Sequence, residues 1–214
     1  MNGSVLLTRY GFYAMDYITK IKEGLNHLPG RNAQFQMAPV PRTGGEIHDT
    51  IHTNSKQSAV IILLYPDNEI LHFPLIRRPA SMRHHAGQIG LPGGGIDQGE
   101  TIEQAAIREL EEELGVICSP SMIIGSLSPL FIPVSGYYVT PILACMNQKP
   151  KFHVNQREVD RLYLASLKYF LDESIIIETH INGKIRVPAF SFENEVIWGA
   201  TAMMLNELIV ILKR

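Results

Sequence analysis

Short apolar runs separated by turn residues dominate the middle of this 214-residue chain. Ser58–Tyr65 is rich in Val and Ile, and Pro66-Asp67-Asn68 separates it from Ile70–Ile76, so the pair predicts a β-hairpin. Since strands outnumber helices and do not alternate with them strictly, the pattern favours an α+β fold with a mixed sheet. Further strands are predicted at residues 122–127, 137–146, 162–164 and 174–181.

Helical spacing is found near both ends of the chain. Ile18, Ile21, Leu25 and Leu28 recur on one helical face, and Pro29-Gly30 is expected to end that segment. Residues 31–56 are rich in Pro, Gly, Asn and Thr, which predicts an irregular lead-in. The apolar segment 198–212 has the length and composition of a closing helix.

Composition narrows the class of protein. Apolar residues make up 45% and charged residues 19%, as in an ordinary globular domain. The formal net charge of -2 disfavours a global surface for nucleic acid or anionic membrane, and no run is long enough to span a membrane. Cys118 and Cys145 lie in apolar surroundings, so two buried thiols are expected, although a disulfide stays an alternative. No signal peptide is recognisable, and a cytoplasmic location is expected.

A glycine-rich segment, Leu91–Glu100, leads into the most informative helix of the sequence. Thr101 and Gln104 have the spacing of a capping box, and Gly115 can adopt the left-handed conformation that ends a helix. Between them, an apolar stripe is formed by Ala106, Ile107, Leu110 and Leu114.

Three glutamates, Glu109, Glu112 and Glu113, project from one side of the same helix. Like charges at this spacing repel one another, so a cation is expected to offset them. Mg²⁺ takes carboxylate oxygens and also engages substrate phosphates. The alternative is a solvated acidic face, but a preceding glycine loop that lets the backbone approach a phosphate or metal closely favours a catalytic site.

This segment resembles a complete Nudix box. It has Gly94, then Glu100 after five residues, and then the run Arg108–Val116 after seven more, with every required position filled. The resemblance implies the Nudix fold, a mixed β-sheet sandwiched between α-helices. It also implies hydrolysis of a pyrophosphate linkage with Mg²⁺, or with Mn²⁺ as the alternative ion.

The same resemblance implies roles for individual residues. Glu109 and Glu113 are expected to bind the metal with help from Glu112, and Arg108 to form a stabilising salt bridge. Glu112 and Arg108 thus belong to the catalytic set. Glu158 is added to it as either a metal ligand or a general base, with a simple loop carboxylate as the alternative.

The sequence before the box resembles the signature of the coenzyme A pyrophosphatases. Three residues, Ile76, Pro79 and Leu91, stand where that family usually has threonine, serine and phenylalanine. Further similarity at 135–141, 158–160 and 197–202 extends the resemblance from about residue 58 to the C-terminus. The residues that match the signature at its separations are Arg78, Arg83, Gly87, Pro92, Gly93 and Gly94.

A basic cluster accompanies this signature, and guanidinium groups suit phosphate oxygens. The alternatives are that these groups are solvated, Arg77 in particular, and that the histidines are hydrogen-bond partners within a loop. The cluster comprises Arg77, Arg78, Arg83, His84 and His85. The expected substrate-binding residues are Arg78, Arg83, His85, Gly87, Gly93 and Gly94.

The chain is therefore expected to have an N-terminal lead-in at 1–56 and a Nudix domain at 57–214. Its expected partner is a small nucleotide substrate, and a homodimer is left open. The first alternative is a Nudix pyrophosphatase for another nucleoside diphosphate derivative, such as ADP-ribose, NADH, a dinucleotide polyphosphate or an oxidised nucleotide. The second is a non-catalytic nucleotide sensor, against which the intact glutamates argue.

Overall fold

The computed structural model describes residues 3–39, 55–81, 85–181, 183 and 185–214, and the side chains of helix α1 from Ala14 onwards. The helices are α1 (Gly3–Gly24), α2 (Arg31–Gln34), α3 (Ile102–Leu114), α4 (Leu167–Phe170) and α5 (Gly199–Leu212). The strands are β1 (Lys56–Asp67), β2 (Ile70–Arg77), β3 (Ile89–Gly90), β4 (Gly93–Gly95), β5 (Ile123–Ser126), β6 (Leu130–Ile132), β7 (Tyr137–Cys145), β8 (Arg161–Ser166), β9 (Ile176–Ile181), β10 (Ile185–Phe192) and β11 (Glu195–Trp198).

The main sheet has eight strands and is mixed. Its central strand β1 runs parallel to β7 over nine residue pairs, from Lys56–Tyr137 to Leu64–Cys145. The other pairings are antiparallel: β1 with β2 and β4, β2 with β3 and β8, and β7 with β5 and β6. Because β1 pairs with β4, the glycine segment lies directly beside the centre of the sheet.

Alternation along β1 and β7 gives the sheet two apolar faces. One face packs against α3, with Leu110 and Leu114 of the helix buried against Ile61 and Ile142. The opposite face packs against α1 and α5, where Ile62 and Leu143 are part of the larger core cluster. Helices therefore cover both faces, which confirms the predicted α+β fold with a sandwiched mixed sheet.

A small antiparallel sheet of three strands, in the order β9-β10-β11, adjoins the main one. Arg77 at the end of β2 connects the two sheets, since its Nε donates to Asp160 at 2.6 Å and its Nη1 to Glu195 at 2.7 Å. Tyr163 also donates to Glu195, at 2.7 Å. Arg77 is thus an ion-paired residue rather than a solvated charge.

The segment after α1 is attached to α5 through buried polar groups. Glu207 on α5 accepts hydrogen bonds from Gly30 N at 3.0 Å, Gln34 Nε2 at 2.9 Å and Ser128 N at 3.2 Å. Asn206 donates to Ala33 O at 2.7 Å. These bonds fix the end of the N-terminal segment on the face of the sheet opposite α3.

Most predicted elements are present with small shifts. The hairpin is β1 and β2, and the strands expected at 122–127, 137–146 and 162–164 are β5, β7 and β8. The strand expected at 174–181 begins at Ile176, after a short 3-10 turn, and the closing helix begins at Gly199.

The N-terminal expectations need two corrections. The first helix ends at Gly24, before Leu25 and Leu28, and the lead-in contains α2 followed by a 3-10 turn; residues 40–54 lie outside the described residues. Cys118 and Cys145 are buried thiols that are not joined by a disulfide, as expected. Within the described residues, no helix is long and apolar enough to cross a membrane. The domain division at residue 56 stays a prediction.

Candidate active site

Helix α3 is fixed at both ends by the residues that the sequence singled out. Thr101 accepts a hydrogen bond from Gln104 N at 3.2 Å, and Gln104 Oε1 accepts one from Thr101 N at 2.8 Å, which completes the capping box. Gly115 ends the helix with φ 64°. These local bonds set the rotation of the helix, and therefore the direction in which its glutamates point.

The glycine loop approaches both the sheet and the helix too closely for side chains. Gly93 has φ 149°, and a Cβ there would collide with the backbone of Ala59 and Val60. A Cβ on Gly94 would collide with the carboxylate of Glu109. The two glycines are therefore needed to bring β4 against β1 on one side and against Glu109 on the other.

Three carboxylates gather beside this loop. Oxygens of Glu109, Glu112 and Glu158 all lie within 4.8 Å of one another. Glu109 and Glu112 come from α3, whereas Glu158 comes from the turn before β8, where Asn155 Nδ2 donates to its Oε1 at 3.0 Å. The fold thus brings together two residues of the box and one residue 45 or more positions later in the chain.

This donor set fits a hard divalent cation. Mg²⁺ binds carboxylate oxygens at about 2.0–2.1 Å, so two oxygens on one ion lie at most about 4.2 Å apart. The carboxylate oxygens lie within 4.8 Å of one another, and the Glu112 side chain, which is 48% accessible, has room to adjust toward the shorter separation. Three clustered negative charges are also unfavourable without a cation.

Arg108 binds to the flank of the carboxylate cluster. It donates to Glu100 at 2.8 and 3.1 Å, to Glu109 at 2.9 Å, to Glu112 at 3.2 Å and to the carbonyl oxygen of Gly95 at 2.9 Å. The hydrogen bonds with Glu100 lower the pKa of that carboxyl and raise the pKa of Arg108 above its usual value. Arg108 therefore links the glycine loop, the loop after it and the helix.

Glu113 is not one of the three clustered carboxylates and is almost completely buried. Its Oε2 accepts a hydrogen bond from Gly93 N at 2.9 Å, and its Oε1 is 3.8 Å from Nη1 of Arg78. Burial raises the pKa of Glu113 to about 8, opposed by the charge of Arg78 and by the bond from Gly93. Burial also raises the pKa of Glu109. The metal role expected for Glu113 stays a prediction.

The residues expected to bind substrate are placed in different surroundings. Arg78 Nη2 donates to Gly93 O at 2.8 Å, so this side chain contacts the loop itself. His85 is exposed and its Nδ1 lies 2.9 Å from Gln88 Oε1, which is a contact within the loop. Gly87 has φ 69° and its N donates to Arg78 O at 3.1 Å. Arg83 and His84 lie outside the described residues.

Two site residues were not assigned by sequence reasoning. Glu100 is a fixed position of the box and proves to be a main partner of Arg108. Asn155 orients Glu158 across three residues, and Arg157 N in turn donates to Asn155 at 3.2 Å. An Asn three residues before a Glu is typical of a local turn, but no nearby residue indicates that this turn lies beside α3.

Comparison with known proteins places this arrangement in a family. The NUDIX domain model matches residues 55–172, which is more than half of the chain. The uncharacterized Nudix hydrolase NudL of Photorhabdus laumondii is 31% identical over 186 residues, covering 82% of this chain and 91% of the relative. That of Yersinia enterocolitica is 35% identical over 161 residues, covering 72% and 80%. The chain belongs to the Nudix family.

A solved structure supports the fold alone. A MutT/nudix family protein from Enterococcus faecalis aligns with a TM-score of 0.51 at 19% identity, covering 74% of this chain and 60% of the other. Family membership makes the chain a hydrolase that acts on pyrophosphate bonds, and Nudix hydrolases generally use divalent metal ions.

Proposed function

We propose that this enzyme cleaves the pyrophosphate of coenzyme A or its derivatives, giving 3′-phosphoadenosine 5′-phosphate and (acyl-)4′-phosphopantetheine. The observation that supports this most is the continuity between the basic segment and the catalytic loop. Arg78 N donates to Gln88 O at 3.0 Å and Gly87 N to Arg78 O at 3.1 Å, which closes the segment containing Arg83 at its base. Five residues after Gln88 the chain reaches Gly93, which lies beside the glutamates of α3.

Two departures from the coenzyme A signature do not affect residues that a substrate can reach. Ile76 is fully buried and Leu91 is 2% exposed, so both belong to the core of the sheet. Pro79 is half-buried and follows Arg78 directly. The family's threonine and phenylalanine positions are therefore filled here by apolar packing residues, which leaves the basic segment to determine recognition.

Glu109, Glu112 and Glu158 are the residues proposed to hold Mg²⁺. These residues would hold a divalent ion whose charge would offset that of the pyrophosphate and lower the pKa of an attacking water. Arg108 keeps Glu109 and Glu112 oriented, and Asn155 does so for Glu158. Arg83, His85 and the backbone at Gly87, Gly93 and Gly94 are proposed to contact the phosphates. Phosphoryl transfer needs mainly positioning and charge stabilisation, which these groups supply.

The substrate is tested by offering coenzyme A, ADP-ribose and NADH separately with Mg²⁺ and identifying the products by mass spectrometry. The proposal predicts the highest kcat/KM for coenzyme A, with both products of pyrophosphate cleavage in equal amounts. A clear preference for ADP-ribose or NADH would overturn the coenzyme A assignment and leave the family assignment intact.

The basic segment is tested by Arg83→Ala. Loss of one charge-assisted contact is expected to lower kcat/KM for coenzyme A about ten- to a hundred-fold, the equivalent of roughly 1.5–3 kcal/mol. Mg²⁺ binding should be unchanged. Arg186→Ala is a matched control, because Arg186 is exposed on β10 and paired only with Glu178 among the contacts described. Equal activity of the two variants would exclude Arg83 from substrate recognition.

A further inference from the structure

We propose that Arg78 is a positioning residue that holds the peptide of Gly93 in the catalytic loop, rather than a substrate ligand. Arg78 Nη2 donates to Gly93 O at 2.8 Å, and Gly93 N donates to Glu113 Oε2 at 2.9 Å. Nη1 of Arg78 faces Glu113 Oε1 at 3.8 Å, which closes a ring of three residues. Both hydrogen-bonding groups of Gly93 are therefore satisfied by side chains.

Gly93 needs this support because of where it lies. With φ 149° it adopts a conformation that L residues rarely occupy, in direct contact with the backbone of β1. Its amide bonds to Glu113 instead of to the neighbouring strand. The next residue, Gly94, is packed against the Glu109 carboxylate. A shift of the Gly93 peptide would therefore move Gly94 relative to the carboxylate cluster.

The low solvent accessibility of the Glu113 and Arg78 side chains also supports a positioning role for the guanidinium group. The Glu113 side chain is 2% accessible and that of Arg78 is 23% accessible, so their contact is largely shielded from solvent. Among the described residues, Arg78 thus contacts the Gly93 carbonyl and Glu113, and both contacts act on the same loop.

The first test does not depend on turnover. Amide hydrogen exchange of Gly93 and Gly94 is followed by NMR in the metal-free protein and in Arg78→Met, Arg78→Lys and the control Arg186→Met. Exchange should become faster in Arg78→Met, stay at the parent level in the control, and lie between in Arg78→Lys, because an ammonium group can reach only one of the two acceptors. Unchanged exchange in Arg78→Met would overturn the proposal.

The second test separates positioning from binding and relies on the proposed hydrolysis. Arg78→Met should lower kcat about 10- to 100-fold, as expected when an orienting contact is lost, while KM stays within the error of the parent. Arg78→Lys should recover part of kcat. A raised KM with kcat retained would make Arg78 a substrate ligand and contradict the proposal. If coenzyme A is not the substrate, the exchange result still stands, and kcat and KM of the Arg78 variants are measured on whichever pyrophosphate is cleaved.

Discussion

Glu207 on α5 and the glutamates on α3 are all held by the fold, but their partners differ in kind. Glu207 is fully buried and accepts hydrogen bonds from two backbone amides and one side-chain amide, with no other carboxylate among these partners. Glu109, Glu112 and Glu158 instead lie within 4.8 Å of one another, with Arg108 shared between two of them. Hydrogen-bond donors surround the carboxylate of Glu207, whereas the carboxylates of Glu109, Glu112 and Glu158 adjoin one another.

The difference separates a structural carboxylate from the carboxylates that we propose to be catalytic. Neutral donors that converge on Glu207 stabilise its charge and connect the N-terminal segment to α5. The single guanidinium of Arg108 cannot neutralise all three carboxylates of the cluster, so the protein favours the binding of a cation there. We therefore expect substitutions on α3 to lower turnover and substitutions on α5 to lower stability.

The largest expected effect comes from Glu109→Gln, which keeps the volume and removes one charge from the cluster. Turnover should fall about 10²- to 10³-fold, the loss typical when one group that stabilises transition-state charge is removed. The melting temperature should stay the same or rise, because like-charge repulsion is relieved. Steady-state kinetics with Mg²⁺ and thermal unfolding check both points; turnover near the parent value would remove Glu109 from the metal site.

Arg108→Ala should have the next largest effect. The variant loses contacts to Glu100, Glu109, Glu112 and Gly95 at once, so the loop and the glutamates proposed to bind the metal lose their common orientation. We expect activity or Mg²⁺ affinity to fall about 10- to 100-fold. The measurement is a Mg²⁺ titration of the rate. An unchanged rate and Mg²⁺ requirement would show that Arg108 is a surface charge without a part in the site.

Glu207→Gln tests the other side of the comparison. The amide presents a donor to the amides of Gly30 and Ser128, so the unfolding free energy should fall by about 1–3 kcal/mol. Turnover at a temperature well below the unfolding transition should equal that of the parent. Urea unfolding and a rate assay measure the two. A large loss of turnover without loss of stability would reverse the roles assigned to the two helices.

The last prediction concerns stability alone, as a pH dependence in the metal-free protein. Burial raises the pKa of Glu113 from its ordinary 4.5 to about 8, so the folded chain holds a proton that the unfolded chain releases. The stabilising contribution is complete below about pH 4.5 and is lost as pH rises through 8. The melting temperature of the parent should therefore fall, relative to that of Glu113→Gln, between pH 5 and pH 8.5. A parallel pH course for both proteins would contradict the buried position of Glu113.

Local signals made α3 and its ends predictable from sequence. The capping box and Gly115 act over three or four residues, and the structure has both where the sequence placed them. The strands β10 and β11 were not predicted. Strand β10 contains Pro188 and lies between β9 and β11, so it is paired on both sides.

The same distinction holds in the site. The glutamates of the box could be listed from sequence, but their separation into a cluster and a buried Glu113 could not. Gly93 and Arg78, which contact the buried Glu113, lie 20 and 35 positions before it, and the pairing of β4 with β1 positions Gly93. The basic segment was expected to face phosphates, and Arg78 shows that a guanidinium can instead face the loop.

Direct measurement of ion binding is the strictest test of the carboxylate cluster of Glu109, Glu112 and Glu158 as a metal site. Mn²⁺, which has the ligand preference of Mg²⁺ and gives a paramagnetic signal, is titrated into metal-free parent protein, into Glu158→Gln and into Glu207→Gln, and the bound ion is counted by electron paramagnetic resonance. We predict saturable binding to the parent and to Glu207→Gln, and binding about 10-fold weaker or more in Glu158→Gln. Equal Mn²⁺ affinity in Glu158→Gln and the parent, or no binding to the parent, would contradict the account.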